Sequence, residues 1–477
     1  MSNLLSYGVS IPNFQIENQV LHPGLGTKKG KRTIIFSDED PVTLAFDAAS
    51  QCLESYTQAS QTHNTPNADV DAIFFASTTP VFRNRYHASF LAELLDLPKG
   101  ILALDLSASP RSGSDALILA DHLISTNNYH KILVLAADTY FPAIGEELTP
   151  SSRDGHAGCA LLVGNQEGIA AVKSAQSYSS FIAEEFIYKG NTVQLDARFG
   201  REVGIKSSLN VALDNFLVSG SPKPDKYKAV ILNTLYAKSA MGLFTKRGFD
   251  LESQLLKDSI QPQTGFTGAC HAIIRLIDSL ERNSGDILLV DYYNGTNVFH
   301  IKQTAQIRSE RNTLEEQLKD GVLINSYQDY LTLRKAGHIS SRAQKRQEMF
   351  SSDMMLEREK ENVLHLKGFE CNQCGTVYFI KIQRCKKCKG AEFTLKKLSK
   401  RGVVFSFTKE HYFPSSFPPV TMAVVDLDGG GRLTLQVTDE MHPPESNETL
   451  IGAKVKLVLR KMMEYDVKPN YFWKCKL

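Results

Sequence analysis

The stretch LDLSASPRSGSDAL, residues 104–117, joins an apolar run to a serine-rich turn and then to a second partly apolar run. This pattern predicts a buried strand that leads into an α-helix, with Ser109 as the N-cap, Pro110 as the first helical residue and Ser112 in the first turn. Such a corner is a favoured place for a nucleophile, because a helix N-terminus stabilises negative charge. The corner contains no cysteine, so the sequence leaves open whether it is an active site or only a capped helix.

Similar apolar runs flank this corner along the chain. Buried strands are predicted at 69–78, 130–138, 227–235 and 286–294. A helix is predicted to begin after Asp40, which can cap it, with Pro41 at its first position. The alternation of strands and helices is typical of α/β layers whose strands are covered on both faces. The same order occurs twice, which indicates a structural repeat.

The composition excludes several classes of protein. A chain of 477 residues predicts two or three domains. The formal charge of +2 gives no general reason to expect nucleic acid as a partner. No apolar run is long enough to span a bilayer, and the N-terminal residues lack the features of a signal peptide. We therefore expect a cytoplasmic protein without a membrane segment.

Four of the eight cysteines form two CxxC pairs separated by ten residues. They are Cys371, Cys374, Cys385 and Cys388. Two such knuckles bring four thiolates to one tetrahedral site, which favours Zn²⁺. Four sulfur ligands leave no position for water, so the predicted zinc is structural. A pair of disulfides and a rubredoxin-like iron site are the alternatives.

Basic residues surround the cysteines, and a β-rich tail follows them. The basic residues are Arg384, Lys386, Lys387, Lys389, Lys396, Lys397, Lys400 and Arg401. They either offset the charge of the thiolates or form a docking patch for the phosphates of coenzyme A or for a carrier protein. The tail has short strands separated by turn residues, which predicts a small barrel. Its aromatic residues, Phe405 among them, leave nucleic-acid binding as a further alternative.

Five segments together resemble the archaeal-type hydroxymethylglutaryl-CoA synthases, which belong to the thiolase-like superfamily with ketoacyl synthase III. They are KGKRTIIFSDEDPVTLAFDAA (29–49), DVDAIFFASTT (69–79), ILVLAADTY (132–140), DARFGREVG (196–204) and TGFTGACHAIIRLIDSL (264–280). The resemblance extends over residues 1–335. The remainder resembles the zinc-ribbon and OB-fold proteins that accompany thiolase-like enzymes as separate subunits.

The resemblance implies an α/β, thiolase-like, duplicated five-layer fold followed by a zinc ribbon and a small β-barrel of the OB-fold type. The expected domains are the two thiolase-like halves at 1–165 and 166–335, a helical linker at 336–366, the zinc ribbon at 367–398 and the OB-fold at 399–477. It also implies a homodimer that binds acyl-CoA or an acyl carrier. A further thiolase-like subunit is a second possible partner.

The catalytic residues of the family do not carry over. The nucleophilic cysteine falls on Pro110, the glutamate on Thr78 and the histidine on Asn233. The asparagine of the ketoacyl synthases falls on Phe266. The usual catalytic set is therefore replaced in this chain.

Cys270, His271 and Tyr236 are the remaining candidates for catalysis, although each also fits a purely structural role. Three functions follow from the resemblance. The first is an acyltransferase or condensing enzyme of the hydroxymethylglutaryl-CoA synthase type that acts on coenzyme A thioesters. The second is a retro-aldol carbon–carbon lyase acting on a β-hydroxyacyl-CoA, which needs an acid and a base but no acyl-enzyme. The third is a non-catalytic subunit of a thiolase-like assembly.

Overall fold

The computed structural model describes residues 2–21, 29–60, 69–141, 155–182, 185–188, 191–194, 196–307, 313–336, 353–411, 415, 417–441, 450–462 and 469–477. The chain divides into two compact units. The N-terminal unit comprises Met1–Ile34 and Asp40–Asn325, and the C-terminal unit comprises Ile35–Glu39 and Ser326–Leu477. A short segment from near the start of the chain therefore belongs to the C-terminal unit.

The N-terminal unit alternates strands and helices. Its strands are β1 (Asn3–Ser10), β2 (Phe14–Glu17), β3 (Lys31–Ile34), β4 (Ala72–Ala76), β5 (Leu102–Leu106), β6 (Lys131–Thr139), β7 (His156–Gly164), β8 (Ala170–Ser179), β9 (Glu185–Tyr188), β10 (Asn191–Gln194), β11 (Ala229–Asn233), β12 (Asp286–Tyr292), β13 (Gly295–Gln303) and β14 (Val322–Ile324). Its α-helices are α1 (Asn18–Leu21), α2 (Pro41–Ser60), α3 (His87–Leu94), α4 (Ser112–Ser125), α5 (Ala197–Phe199), α6 (Asn210–Val218), α7 (Ala237–Thr245), α8 (Leu251–Gln254), α9 (Gln261–Thr264), α10 (His271–Glu281) and α11 (Leu314–Lys319). A π-helix spans Gly200–Leu209, and 3₁₀ turns span Pro224–Lys226 and Gly268–Cys270.

The four strands and the helix predicted from the sequence are present as β4, β6, β11, β12 and α2. Helix α2 begins at Pro41, directly after the predicted capping residue Asp40. The Asp40 carboxylate accepts a hydrogen bond from the Thr43 N–H at 3.0 Å, and the Thr43 hydroxyl accepts one from the Asp40 N–H at 2.9 Å. This reciprocal pair satisfies two of the N–H groups that a helix leaves free at its start.

Nine strands form one sheet in the order β11-β12-β13-β8-β1-β7-β6-β4-β5. Each half of the sheet has parallel strands at its outer end, β5-β4-β6 on one side and β11-β12 on the other. Antiparallel strands follow inwards in both halves, until β1 and β8 pair at the centre. The repeated pattern agrees with the duplication that the sequence predicts.

Helices α4 and α10 pack together between the strands of the two halves, and their apolar faces form one core with strand residues of both. Ile231 of β11 and Leu289 of β12 face this core, whereas the alternate residues Val230 and Leu288 face a second core around α6 and α7. Strands that are apolar on both faces require this covering on both sides. The halves are therefore layered around two central helices.

The corner at residues 104–117 differs from its prediction in one respect. Helix α4 begins at Ser112, with Arg111 as its N-cap, and not at Pro110. Ser109 and Pro110 lie in a turn before the helix, where the Ser109 hydroxyl accepts a hydrogen bond from the Arg111 N–H at 3.1 Å. The Ser112 hydroxyl in turn accepts from the Ser109 N–H at 3.2 Å. The serines thus stabilise a turn rather than a cap at Pro110.

The C-terminal unit contains a small three-stranded sheet and a barrel. Its strands are β15 (Lys367–Cys371), β16 (Val377–Tyr378), β17 (Phe393–Lys397), β18 (Arg401–Glu410), β19 (Val420–Leu427), β20 (Arg432–Gln436), β21 (Lys454–Lys461) and β22 (Tyr471–Lys476), and its helices are α12 (Tyr327–Ala336) and α13 (Asp353–Val363). The order β20-β19-β18-β21-β22 leaves two edges, and a bridge from Val437 to Cys475 brings them together. The result is the near-closed five-stranded barrel of an OB-fold.

The segment Ile35–Glu39 inserts two carboxylates into the C-terminal unit. The Asp38 carboxylate accepts hydrogen bonds from Lys474 Nζ at 2.8 Å and from the Thr438 hydroxyl at 2.6 Å. The Glu39 carboxylate lies 3.0 Å from the guanidinium of Arg460. All these side chains are buried, and the Asp38 carboxylate offsets the charge of Lys474 away from water.

None of the helices in the described residues is long and apolar enough to cross a membrane.

Candidate functional site

A cavity of about 240 Å³ opens beside the carboxyl ends of β11 and β12 in the N-terminal unit. Asn233 is the last residue of β11 and Tyr293 follows β12, so two parallel strands deliver them to the same edge. This is the edge at which α/β sheets usually bind ligands. The other lining residues are Leu232, Thr234, Leu235, Ala237, Leu255, Leu256, Lys257, Asp258, Gln261, Phe266 and Arg275.

Asn233 is held at the cavity by a buried polar network. Its side-chain amide donates to the Asp291 carboxylate at 2.9 Å, and the Ser114 hydroxyl donates to the same carboxylate at 2.6 Å. The Asn297 amide donates to Ser114 at 2.8 Å and to Asp115 at 2.7 Å. Burial raises the pKa of Asp291 to about 6, although both donors oppose the shift. The network joins α4 to β11 and β12.

His271 contacts the cavity indirectly, through Asp258. Its Nε2 lies 2.8 Å from Asp258 Oδ2, and its Nδ1 lies 3.1 Å from the Thr267 hydroxyl. An Nε2–H donor and an Nδ1 acceptor satisfy both contacts. Burial opposes ionisation of Asp258, but His271 and then Arg275 outweigh it and hold the pKa of this carboxyl below its ordinary value. Asp258 is therefore a carboxylate at the cavity wall.

Arg275 sets the shape of the cavity. Its guanidinium donates to the carbonyl oxygens of Leu232 at 2.6 Å and Leu256 at 2.7 Å, and its Nε lies 3.8 Å from Asp258. It thus ties the end of β11 to the loop that carries Asp258. The sequence analysis missed Asp258, Arg275 and Tyr293, since nothing in their spacing indicates that they meet.

The other two candidates from the sequence do not line the cavity. Cys270 is fully buried, and its thiol donates to the Ala157 carbonyl oxygen at 3.3 Å. Burial, and then the neighbouring Cys159, raise the pKa of Cys270 well above its ordinary value. Tyr236 is the N-cap residue of α7 and packs on the core around α6 and α7. Of the three candidates, His271 contacts the cavity-lining Asp258 through its side chain, and Tyr236 contacts the cavity-lining Thr234 through its backbone N–H at 3.2 Å.

Thr78 lies elsewhere, in a cluster around the buried carboxylate of Asp138. Asp138 accepts hydrogen bonds from the backbone and side-chain donors of Thr78 and Thr79, from the Ser77 hydroxyl and from the Ala269 N–H, all between 2.7 and 3.0 Å. These donors are fully used inside the protein. The cluster therefore links β4 and β6 to the turn that precedes α10.

The four predicted metal-ligand cysteines come together in the C-terminal unit. Their Sγ atoms all lie within 4.8 Å of one another, with 3.5 Å between Cys371 and Cys388 and between Cys374 and Cys385. Four thiolates around one tetrahedral ion would be roughly 3.8 Å apart, given metal–sulfur bonds of about 2.3 Å. A hydrogen bond from the Tyr378 hydroxyl lowers the pKa of Cys385 to about 5, which favours a ligating thiolate. The cluster could hold one metal ion.

Comparison with known proteins finds relatives for both the N-terminal and the C-terminal part of the chain. Residues 395–460 match the family described as the C-terminal OB-fold domain of ChsH2. The chain is also 37% identical over 103 residues to a DUF35 domain-containing scaffold protein of Methanocaldococcus jannaschii, an alignment that covers 21% of this chain and 70% of that protein. The chain belongs to the DUF35 domain family. In the present chain, the DUF35 domain follows a long thiolase-like region.

The thiolase-like region is distantly related to hydroxymethylglutaryl-CoA synthases. The chain is 22% identical over 352 residues to the hydroxymethylglutaryl-CoA synthase of Pyrobaculum neutrophilum, and the alignment covers 70% of this chain and 97% of the relative. The fold matches the hydroxymethylglutaryl synthase of the curacin biosynthetic pathway, solved in complex with acetyl donor-ACP, with a TM-score of 0.59 and 15% identity over 70% of this chain and 88% of that one. A second match is a hydroxymethylglutaryl-CoA synthase complexed with CoA, with a TM-score of 0.58 and 16% identity. It covers 72% of this chain and 91% of that one. The resemblance and the fold class predicted from the sequence are confirmed.

Proposed function

We propose that the thiolase-like region binds the acyl end of a thioester without forming an acyl-enzyme. The observation that carries this proposal is the corner before α4. Pro110, on which the resemblance places the family nucleophile, has no nucleophilic atom, and the Ser109 hydroxyl is engaged with the Arg111 N–H. Within the described ranges, no histidine or carboxylate hydrogen-bonds the Ser109 hydroxyl, so it lacks the base that would activate it.

The burial of Cys270 supports the same proposal. A nucleophilic cysteine must reach its substrate as a thiolate, and both burial and a raised pKa oppose this. We therefore assign Cys270 a structural role in the core beside α10.

The cavity at Asn233 suits the acyl end of a thioester better than the whole ligand. Its volume of about 240 Å³ is below the range of about 300–1,000 Å³ that is usual for drug-sized ligands. Its wall is apolar on the side of Leu235 and Leu255, and polar at Asn233 and Asp258. These features fit a short acyl chain that carries a hydroxyl or carbonyl group. The thioester would be carried by coenzyme A or by an acyl carrier protein, as in the two complexes of related fold.

For the cysteine cluster we propose one structural zinc ion held by Cys371, Cys374, Cys385 and Cys388. Soft sulfur ligands in a tetrahedral arrangement favour zinc, and four of them leave no position for a reacting water. The ion would supply folding free energy to the small sheet β16-β15-β17 and no catalysis.

Binding of acetyl-CoA and 3-hydroxybutyryl-CoA, measured by calorimetry, tests the cavity, and intact-mass spectrometry of the same mixtures tests the absence of an acyl-enzyme. We expect binding without a covalent adduct. Leu235→Trp, which fills the cavity, should weaken binding at least tenfold. Leu243→Trp, on α7 but away from the cavity, is the matched control and should bind normally. An adduct mapped to Ser109 or Cys270 would overturn the proposal.

A retro-aldol lyase is the second candidate, and the contact between His271 and Asp258 favours it. A retro-aldol step removes the proton of a β-hydroxyl group, breaks the neighbouring carbon–carbon bond and leaves an enolate to be protonated. Asp258 at the cavity wall could orient such a hydroxyl, and His271 would position Asp258. Cleavage of 3-hydroxybutyryl-CoA to acetyl-CoA and acetaldehyde, lost in Asp258→Asn, would support the lyase.

A further inference from the structure

A groove in the C-terminal unit lies between the small sheet and the barrel. It has a volume of about 970 Å³ and is bounded by Gly375–Ile382 on one side and by the turn between β19 and β20 on the other. We call it the ribbon groove. Its aliphatic lining residues are Val377, Ile380, Ile382, Leu427 and Leu433. Ile380 is 72% exposed, which is a large apolar exposure for a residue beside a concave surface.

The close approach of the turn to the small sheet depends on glycine. Gly430 has φ of +105°, and a Cβ atom there would lie 3.1 Å from the Cβ of Val377. A larger residue would push the turn away and change the wall of the groove. The ribbon groove is thus a formed feature of the C-terminal unit, in which the turn approaches the Val377 side chain closely.

Five exposed cations lie in one short stretch of chain that overlaps and follows the segment Gly375–Ile382. They are Lys381, Arg384, Lys386, Lys387 and Lys389. Lys386 lines the groove itself. In the part of the chain that the structure describes, none of the five pairs with a carboxylate, because the nearby Glu370 and Asp426 pair with Lys396 and Arg432. The groove therefore combines an apolar floor with exposed positive charge at one rim.

These features favour a protein partner over nucleic acid. A single strand binds to OB-folds by stacking its bases on exposed aromatic rings. The aromatic residues that line the groove, Tyr378, Phe379 and Phe472, are only partly exposed. The exposed ring of Phe405 is covered by the Arg432 guanidinium, 3.6 Å from the ring centre, and Arg432 is itself bound to Asp426. Aliphatic side chains next to a charged rim instead suit a helix that presents carboxylates around an apolar residue.

We propose that the ribbon groove docks an acidic acyl carrier protein. Carrier proteins are small helical proteins with a strongly acidic surface, which matches the rim of the groove in charge. The proposal rests on the proposed function, since the carrier would deliver the thioester that the cavity receives. The ribbon groove then selects the carrier, and the cavity selects the acyl group.

The test measures binding of a bacterial acyl carrier protein in its apo form to the full chain, by biolayer interferometry at 50 and 300 mM salt. The apo form lacks the thiol-bearing arm, so it reports docking alone. We expect binding that weakens at least tenfold at the higher salt concentration. Lys381→Glu with Lys386→Glu, and separately Ile380→Ser, should each weaken it at least tenfold at 50 mM salt. Zinc content is measured in every variant to verify that the cluster is intact.

The matched control reverses two other exposed lysines of the same unit, Lys454→Glu with Lys456→Glu on β21. It should change the affinity less than threefold. Equal losses in both double variants would overturn the proposal, because they would reflect overall charge. Equal affinity for a single-stranded oligonucleotide would overturn it in favour of nucleic acid, and displacement by free coenzyme A in favour of a phosphate site. Groove-dependent carrier binding without acyl-CoA binding would refute the proposed function and support the docking surface.

Discussion

Replacing Asp38 by asparagine removes a negative charge that two buried cations share. Lys474 Nζ lies 2.8 Å from the Asp38 carboxylate and Arg460 Nε lies 3.6 Å from it, and both cations are at most 5% exposed. Breaking a buried ion pair from one side costs about 3–5 kcal/mol, because it leaves a charge without a partner. Lys474 lies closer to Asp38 than Arg460 does, so the loss falls mainly on Lys474. We expect Asp38→Asn to lower the free energy of unfolding of the C-terminal unit by about 3 kcal/mol.

The single tryptophan of the chain makes this measurable. Trp473 is 2% exposed, and its indole N–H donates to the Leu364 carbonyl oxygen within the C-terminal unit. Its fluorescence during urea unfolding therefore reports this unit. With a urea dependence of about 1–3 kcal/mol per molar, the midpoint should fall by roughly 1–3 M.

Asp426→Asn is the matched control, because it breaks an ion pair with Arg432 in which both side chains are about half exposed. Its effect should stay below about 1 kcal/mol. An equally small effect of Asp38→Asn would refute the reasoning. Burial opposes ionisation of Asp38, but Lys474 and Arg460 outweigh it and lower the pKa. The stabilisation is thus present above the unfolded pKa and is lost in acid, where the wild-type chain and Asp38→Asn should converge.

Three further changes have defined outcomes. Burial raises the pKa of Glu39 from its ordinary 4.5 to about 8. The C-terminal unit should therefore lose stability as pH rises between these two values, by up to about 1.4 kcal/mol per pH unit, and Glu39→Gln should abolish this decline in urea unfolding. Cys385→Ser should reduce the zinc content, measured by plasma mass spectrometry, from one ion per chain to none. Gly268→Ala places a Cβ atom 2.0 Å from Asp138 Oδ2, on a residue with a φ of +57°. It should lower the thermal midpoint of unfolding markedly, as measured by circular dichroism. Gly242→Ala on α7 has open space around it and should not lower this midpoint.

The sequence predicts best what is local in the chain. Asp40 and Pro41 give the start of α2, apolar runs give β4, β6, β11 and β12, and two CxxC pairs give the cysteine cluster. Each of these signals lies within a few residues of the feature it predicts. The start of α4 was wrong by two residues, because Ser109 and Ser112 hydrogen-bond within the turn instead of capping a helix at Pro110.

The candidate site depends on contacts between distant residues, which no short pattern encodes. Asp258 meets His271 across 13 positions, and Ser114 meets Asp291 across 177. The strands β2, β3 and β14, which form a separate sheet, are each three or four residues long and give no clear periodicity. The insertion of Asp38 among cations near residue 474 has no sequence signal, since isolated acidic residues usually lie on the surface.

The early position of the segment Ile35–Glu39 in the sequence affects when the C-terminal unit can fold during synthesis. Asp38 leaves the ribosome 436 residues before Lys474. At synthesis rates of about 5–20 residues per second, roughly 20–90 s pass between the two. The N-terminal unit is itself synthesised during the larger part of this time, since its sequence ends at Asn325. The buried charges of the C-terminal unit therefore become paired only after the strand β22, which carries Lys474, has emerged.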